Sequence, residues 1–297
     1  MLDEHRSILV AKNSMKVGRC DVALHFYENN IYVLGGMAFE KGTRKLQSLS
    51  TCEVYNIDDD MWSEMAPFQH PRQQHSVCHF NEQFMFIFGG KRISPNSEAV
   101  GSGAKTQFYE PFEFVQEVEV YEMAKKIWKT INYISEPARL AVISPGSMQI
   151  AGSQILIFGG LVPREEHSED KTFDVSENGV ELSMSTHSLI LDVTVGSIKY
   201  GPELATPTYF ISGGYQLPHE NQIHALGMTL PTHQLGNAMG ALSGEDEVQK
   251  KQFEMGAANH KKLIHCYNVA EQKWTETNES IFSSGATARR DSDVNDD

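Results

Sequence analysis

Three times in 297 residues an apolar run ends on two glycines: "IYVLGG" at 31–36, "FMFIFGG" at 84–90 and "ILIFGG" at 155–160. Such a run is too short to span a membrane and too continuous for a strand with one wet face. It suits a strand buried on both faces. The glycines supply positive φ, or let the backbone pass where a Cβ would clash. A chain that repeats this stop must place several equivalent strands in equivalent surroundings, which is the mark of a repeat architecture.

The repeat extends both ways from the glycines. Aligning Gly35, Gly89, Gly159 and Gly227 gives spacings of 54, 70 and 68 residues; Gly227 closes "NQIHALG" and has no second glycine after it. Downstream lie "EVYNIDDDMW" (53–62), "EVYEMAKKIW" (119–128) and "HCYNVAEQKW" (265–274). In each, a tyrosine precedes a tryptophan by seven positions: Tyr55 and Trp62, Tyr121 and Trp128, Tyr267 and Trp274, which uses all three tryptophans of the chain. In the third unit, "LILDVTVGSIKY" (189–200) puts Tyr200 near the tryptophan's place. Upstream, Phe26, Phe80 and Ile150 each stand nine residues before their glycine. Each unit therefore reads as four short strands. Strand a ends at the Phe, strand b is the apolar run, strand c holds the Tyr, and strand d begins at the Trp. Short strands at this period, with turn residues between them, predict an all-β propeller.

On this signature the chain resembles the kelch-repeat family: Gly35-Gly36, Gly89-Gly90 and Gly159-Gly160 after hydrophobic strands, then a Tyr with six residues between it and a Trp. The resemblance implies a kelch-type β-propeller of four-stranded antiparallel blades. About four complete repeats fall within 19–278, at 19–65, 72–132, 139–203 and 209–277. Residues 1–18 form a lead with a partial outer strand, because "LVAKNSMKVGR" (9–19) lies over "WSEMAPFQHPR" (62–72) with equal spacing to the arginine. The polar, acidic tail 279–297 reads as disordered. Kelch rings usually hold five to seven blades. The ring is therefore closed with four blades and a fragment, or open, or part of something longer. In this geometry the tryptophans fill the space between blades, and Gly227 ends its strand.

Strand direction alternates within a blade, so the b–c and d–a connections share one end. The long insertions are all b–c: about 91–116, 161–186 and 228–261. Loops of that length carry function or are mobile. Residues 163–181 hold seven acids and two bases, and 244–256 has the Glu247–Lys251 spacing of a short helix. On the d–a side, Arg19, Arg72 and Arg139 each enter a strand a, with His70 and His75 beside Arg72. The kelch resemblance implies that arginines at this end contact acidic peptide motifs, a task that suits the bidentate guanidinium. The plain structural alternative is that they are framework residues bound to neighbouring backbone.

A net charge of −14 argues against nucleic-acid partners and anionic membrane surfaces. The N-terminus carries acids at once and does not read as a signal peptide, which makes the expected location cytoplasmic. Cys20, Cys52, Cys78 and Cys266 show no C-x-x-C spacing and read as free thiols. His75 and His79 are about 13 Å apart along one strand face, too far for one metal. No zinc spacing, phosphate-binding loop or nucleophile elbow is present, and Asp58-Asp59-Asp60 reads as turn chemistry. The copper oxidases of this fold need an opposed Cys–Tyr crosslink, whereas Cys266 and Tyr267 are adjacent. The expectation is a non-enzymatic protein-interaction module without a cofactor, acting as scaffold or substrate adaptor. Its partner would be another protein, with an acidic motif, a cytoskeletal component or a ubiquitin-ligase component as candidates. Two alternatives stand beside it: an enzyme of the sugar-epimerase or oxidase kind, and a self-associating scaffold.

Overall fold

A computed structural model describes residues 2–3, 8–9, 11–43, 45–94, 112–134, 138, 140–150, 152–163, 174–177, 180–210, 215–216, 222–229 and 261–277. Arg139, the segment 244–256 and the tail 279–297 lie outside the described residues. Every regular element among the described residues is a strand, and none is a helix able to cross a membrane.

The fold is a β-propeller of four antiparallel blades. In the first blade, strands a to d are Ala23–Tyr27, Asn30–Leu34, Cys52–Asn56 and Met61–Met65. The second has Ser76–Phe80, Phe84–Phe88, Val118–Glu122 and Ile127–Ile131; the third has Gly146–Gln149, Gln154–Phe158, Ser188–Asp192 and Ser197–Tyr200. In the fourth, strand a is two short pieces, Tyr209–Phe210 and Tyr215–Gln216, both paired to strand b, Gln222–Thr229; Lys261–Asn268 and Lys273–Thr277 complete it.

Strand b is buried on both faces, as a continuous apolar run requires. Met85 and Ile87 face the first blade, packing with Ala23, Leu34 and Phe68, while Phe86 and Phe88 face Ile155 and Ile157 of the third. Leu156 and Phe158 pack in turn against Ile223, Tyr267 and Trp274 of the fourth. The glycine pairs then turn the chain out of the sheet. Gly35 and Gly36 have φ of +57° and +93°, and a Cβ on Gly36 would stand 2.4 Å from the Cys20 carbonyl oxygen. Gly89 with Gly90, and Gly159 with Gly160, repeat the same left-handed turn.

Register corrects three sequence assignments. Tyr27, not Phe26, is the counterpart of Phe80: Tyr27 pairs with Asn30 and Phe80 with Phe84, each at the base of its a–b turn. The first turn is one residue shorter than the second, so counting back from the glycine slips by one and reverses the face. Phe26 is accordingly 61 % exposed. Ile198, not Tyr200, takes the tryptophan's place in the third blade; it pairs with Leu191 as Trp128 pairs with Tyr121. Ile198 is buried and Tyr200 is exposed. Gly227 does not end its strand, which continues through Met228 and Thr229 paired to Lys262 and Lys261. With Met228 in place of a second glycine, the left-handed pair that ejects the chain is missing. Residues 11–19 hold no regular strand; the Asn13 carbonyl accepts from Trp62 Nε1 at 2.7 Å, as Ala66 O accepts from Trp128 Nε1 at 2.9 Å, so Asn13 stands where the overlay of 9–19 on 62–72 places it. This stretch therefore lies as a d–a connector does. Of the three indoles only Trp274 is fully buried, while Trp62 and Trp128 are half-buried.

Candidate functional site

The b–c connections build one end of the propeller. They leave the glycine pairs as ribbons rather than open loops. Met37–Phe39 pairs with Leu46–Ser48, and Lys91–Ile93 pairs with Phe112–Phe114. In the third blade Val180–Met184 pairs with both Leu161–Pro163 and Asp174–Glu177. Each ribbon is tied to the d–a lead of its own blade through a bridge, Cys20 to Met37, Gln73 to Lys91 and Ile143 to Leu161. That pairing places the b–c and d–a connections at one end, as expected from strand alternation.

The ribbons also meet each other. Ile93 N donates to Ser48 Oγ at 2.9 Å, joining the first two. Phe112, Phe114 and Leu161 pack on the buried Ile143, Leu182 and Met184, joining the second to the third. The result is a continuous platform over three blades. Lys91 is buried in it, its ammonium 4.8 Å from the Phe112 ring centre, and Arg92 pairs with Glu113 at 2.9 Å on its surface. Phe39, at the end of the first ribbon, is 58 % exposed. Residues 95–111, 164–173 and 230–260, which contain the remainder of the insertions, lie outside the described residues.

The arginines read as binding candidates sit beneath this platform. Arg72 donates to the Gly89 and Glu117 carbonyls at 3.2 and 2.9 Å and to Glu119 at 2.7 Å; both partners of the ion pair are fully buried. Arg19 makes the same bonds one blade earlier, to Gly35 O, Thr51 O and Glu53, the last at 2.6 Å. Burial lowers the Arg72 pKa and the Glu119 charge opposes that fall, which keeps the guanidinium charged. All this donor capacity is committed inside the blade, so neither guanidinium is presented to a partner. His70 Nδ1 lies 3.4 Å from Glu119 Oε2, partly exposed at the rim. His75 is buried, with both ring nitrogens unpartnered, between Phe68 and the glycine turns of the first two blades. Desolvation, then the Arg72 charge, holds its pKa well below the usual imidazole value.

Register also shows that Arg139 is not the third member of this series. Gly36 N donates to Arg72 O, Gly90 N to Val142 O and Gly160 N to Thr208 O, so Val142 and Thr208 hold the Arg72 position in later blades. The Glu119 position is likewise held by Leu189 and His265, from their common pairing two residues before Tyr121, Leu191 and Tyr267. The fold thus fills one buried location with Arg–Glu, Arg–Glu, Val–Leu and Thr–His; the last pair is hydrogen-bonded at 3.0 Å between Thr208 Oγ1 and His265 Nε2. The arginine repetition was visible in sequence, but its inward direction was not. The ribbons had no sequence signal beyond the insertion lengths.

A family model described as the kelch motif matches residues 18–69, the lead and the whole first blade. The first blade carries a kelch motif. The matched repeat and the next blade superpose in register through Arg19 and Arg72, Gly35 and Gly89, Tyr55 and Tyr121, and Trp62 and Trp128. The third and fourth blades keep the antiparallel blade pairing while dropping part of the side-chain signature. No curated protein matches the chain.

Proposed function

We propose that the chain is a non-enzymatic protein-interaction module that receives a partner protein on the ribbon platform at its b–c/d–a end. The kelch motif and the propeller fold fit an interaction module in general. The observation that supports this particular face is the joining of three ribbons into one surface, with Phe39 and the Arg92–Glu113 pair on it. An exposed aromatic and charged side chains on one surface are the composition typical of an interface. Because Arg19 and Arg72 are committed inside the blades, an acidic peptide is not favoured over other partners. The four cysteines are thiols rather than disulfides, in keeping with a reducing, cytoplasmic setting.

The test compares affinity capture by the wild type with capture by two variants. Phe39→Asp with Arg92→Glu alters the platform, and Val195→Asp alters the opposite end, where Val195 is 70 % exposed in a c–d turn. Proteins retained by the wild type and by Val195→Asp, and lost from the platform variant, support the reading. Equal capture by all three removes it.

A second reading, self-association, is favoured by Leu24 and Phe26. Both are 61 % exposed on the face of strand a that, one blade on, packs against its neighbour. Native mass measurement of the wild type and of Phe26→Asp decides it: a monomer in both cases ends this reading.

A further inference from the structure

The inner strands of the first two blades bring two imidazoles together near their a–b turns. His25 pairs across its blade with Tyr32, and His79 with Met85. Tyr32 and Met85 share the apolar cluster between these blades, so the two histidines approach from opposite sides of one interface. Their ring centres are 5.1 Å apart, with the Tyr27 ring edge-on to His79 at 4.1 Å. Nε2 of His25 and Nε2 of His79 are both buried, and neither has a hydrogen-bond partner. Two orphaned lone-pair atoms at one contact are a cost that a native interface rarely carries without a reason.

A shared cation accounts for both. In a tetrahedral site an imidazole nitrogen lies about 2.0–2.1 Å from the metal, which puts each ring centre about 3.2 Å from it and two such centres about 5.2 Å apart. The observed separation of 5.1 Å matches that value. Both imidazoles are offered in the neutral, ligating form. Burial, reinforced by the neighbouring His79, brings His25 down to about 4. Burial also lowers His79, against the pull of Glu82 and Glu28. Those two carboxylates, on the adjoining turns, give the location a negative bias that favours a cation. Among the described residues no third His, Cys, Asp or Glu completes a metal-binding group, which leaves the other coordination positions to water. Imidazole nitrogen selects zinc, copper or nickel over magnesium or calcium.

We propose that His25 and His79 form a two-imidazole site for a divalent transition metal of the zinc and copper class. The ion would fasten strand a of the first blade to strand a of the second. This site is independent of the ribbon platform, at the other end of the strands.

Calorimetric titration of the full chain with Zn²⁺, and separately with Mg²⁺, tests it. One saturable Zn²⁺ site and a higher melting temperature with Zn²⁺ are expected, with no response to Mg²⁺. His25→Met and His79→Gln should each weaken Zn²⁺ binding at least about tenfold, the scale seen for losing even an outer-shell partner of a metal. These side chains already stand at the same positions in the third blade, where Met148 pairs with Leu156 and Gln149 with Ile155, so both variants fit the fold. His187→Ala, at a half-exposed histidine of the third blade, should bind as the wild type does. Paramagnetic resonance of the wild type with one equivalent of Cu²⁺ should show two coordinated nitrogens, a readout that needs no variant. No saturable Zn²⁺ site, unchanged binding in both variants, or a Cu²⁺ signal without nitrogen ligands overturns the proposal.

Discussion

Removing both members of the Arg72–Glu119 pair should cost less than the two single losses added together. Both side chains are fully inaccessible, so a lone survivor is a buried charge without its partner. Loss of one partner of such a pair costs about 3–5 kcal/mol. Arg72→Val and Glu119→Leu are therefore each expected to lose that much, and independent effects would sum to about 6–10 kcal/mol. The double variant removes both charges and installs the pair that the third blade already uses, Val142 with Leu189, both buried in one apolar cluster. What it still loses is the set of neutral partners: the His70, Gly89 and Glu117 carbonyls bound by Arg72, and the Gln69 and His70 amides bound by Glu119. Five such bonds at about 1 kcal/mol each give about 5 kcal/mol, below the sum of the singles. Urea unfolding followed by tryptophan fluorescence on the four proteins supplies the cycle. A double variant as unstable as the summed singles would refute the claim that charge burial, rather than shape, sets the cost at this position.

Three further outcomes follow from the same packing. His75→Val should stabilise the chain, because it removes two buried unpartnered nitrogens and installs the residue that Val22 supplies beside Gly36 one blade earlier. Since the folded pKa of His75 lies below its ordinary 6.5, the unfolded chain takes up a proton that the folded one refuses as pH falls below 6.5; wild-type stability should therefore decline on acidification, and the variant's less steeply, in denaturation midpoints between pH 7 and 5. Trp274→Ala should cost about 3–5 kcal/mol and Trp62→Ala clearly less, since only the first indole is fully buried; equal losses in urea would contradict the inter-blade assignment. Gly36→Ala should cost about 1–3 kcal/mol from the left-handed backbone alone, with the close approach to Cys20 O added to it; a neutral effect on the melting temperature would remove the reason given for the glycine pairs.

Much of this fold was readable because it is dictated by backbone demands that few side chains meet. Only glycine serves easily at Gly35-Gly36, so three of the four blades announced themselves. The cross-strand contacts of Tyr55 with Trp62, Tyr121 with Trp128 and Tyr267 with Trp274, each with ring centres 5.0 Å apart, explain why the seven-residue spacing is exact where both aromatics are kept. Where the pair is aliphatic, Leu191 with Ile198, the spacing survives but no aromatic marks it, and Tyr200 is the aromatic that stands nearest. Strand a was misread for a different reason. Its a–b turn is one residue shorter in the first blade than in the second, so counting back from the glycine lands on the opposite face. The direction of Arg19 and Arg72 was illegible because the carboxylates that hold them, Glu53 and Glu119, come from strand c of the same blade and lie 34 and 47 residues away.

The two ends of the propeller differ in what they allow the sequence to do. At the c–d end the chain is locked by short side chains bonding their own turns. Asn56 Oδ1 accepts from Asp59 N, Asp192 Oδ1 from Thr194 N and Val195 N, and Asn268 Oδ1 from Ala270 N and Glu271 N. Such a turn fixes both length and register, so an insertion there would break the pairing of c with d. At the b–c end the glycine pair releases the chain from the sheet before the connection begins, and strand c is recaptured afterwards through backbone bonds such as Leu49 N to Gly36 O and Val115 N to Gly90 O. Anything that pairs with itself can be inserted between those two bonds without disturbing the blade. The ribbons are insertions of that kind, differing in length and strand number over one unchanging frame. An interaction surface that must vary while its scaffold does not is therefore expected at the b–c end, for a reason that begins with the same glycines that reveal the repeat.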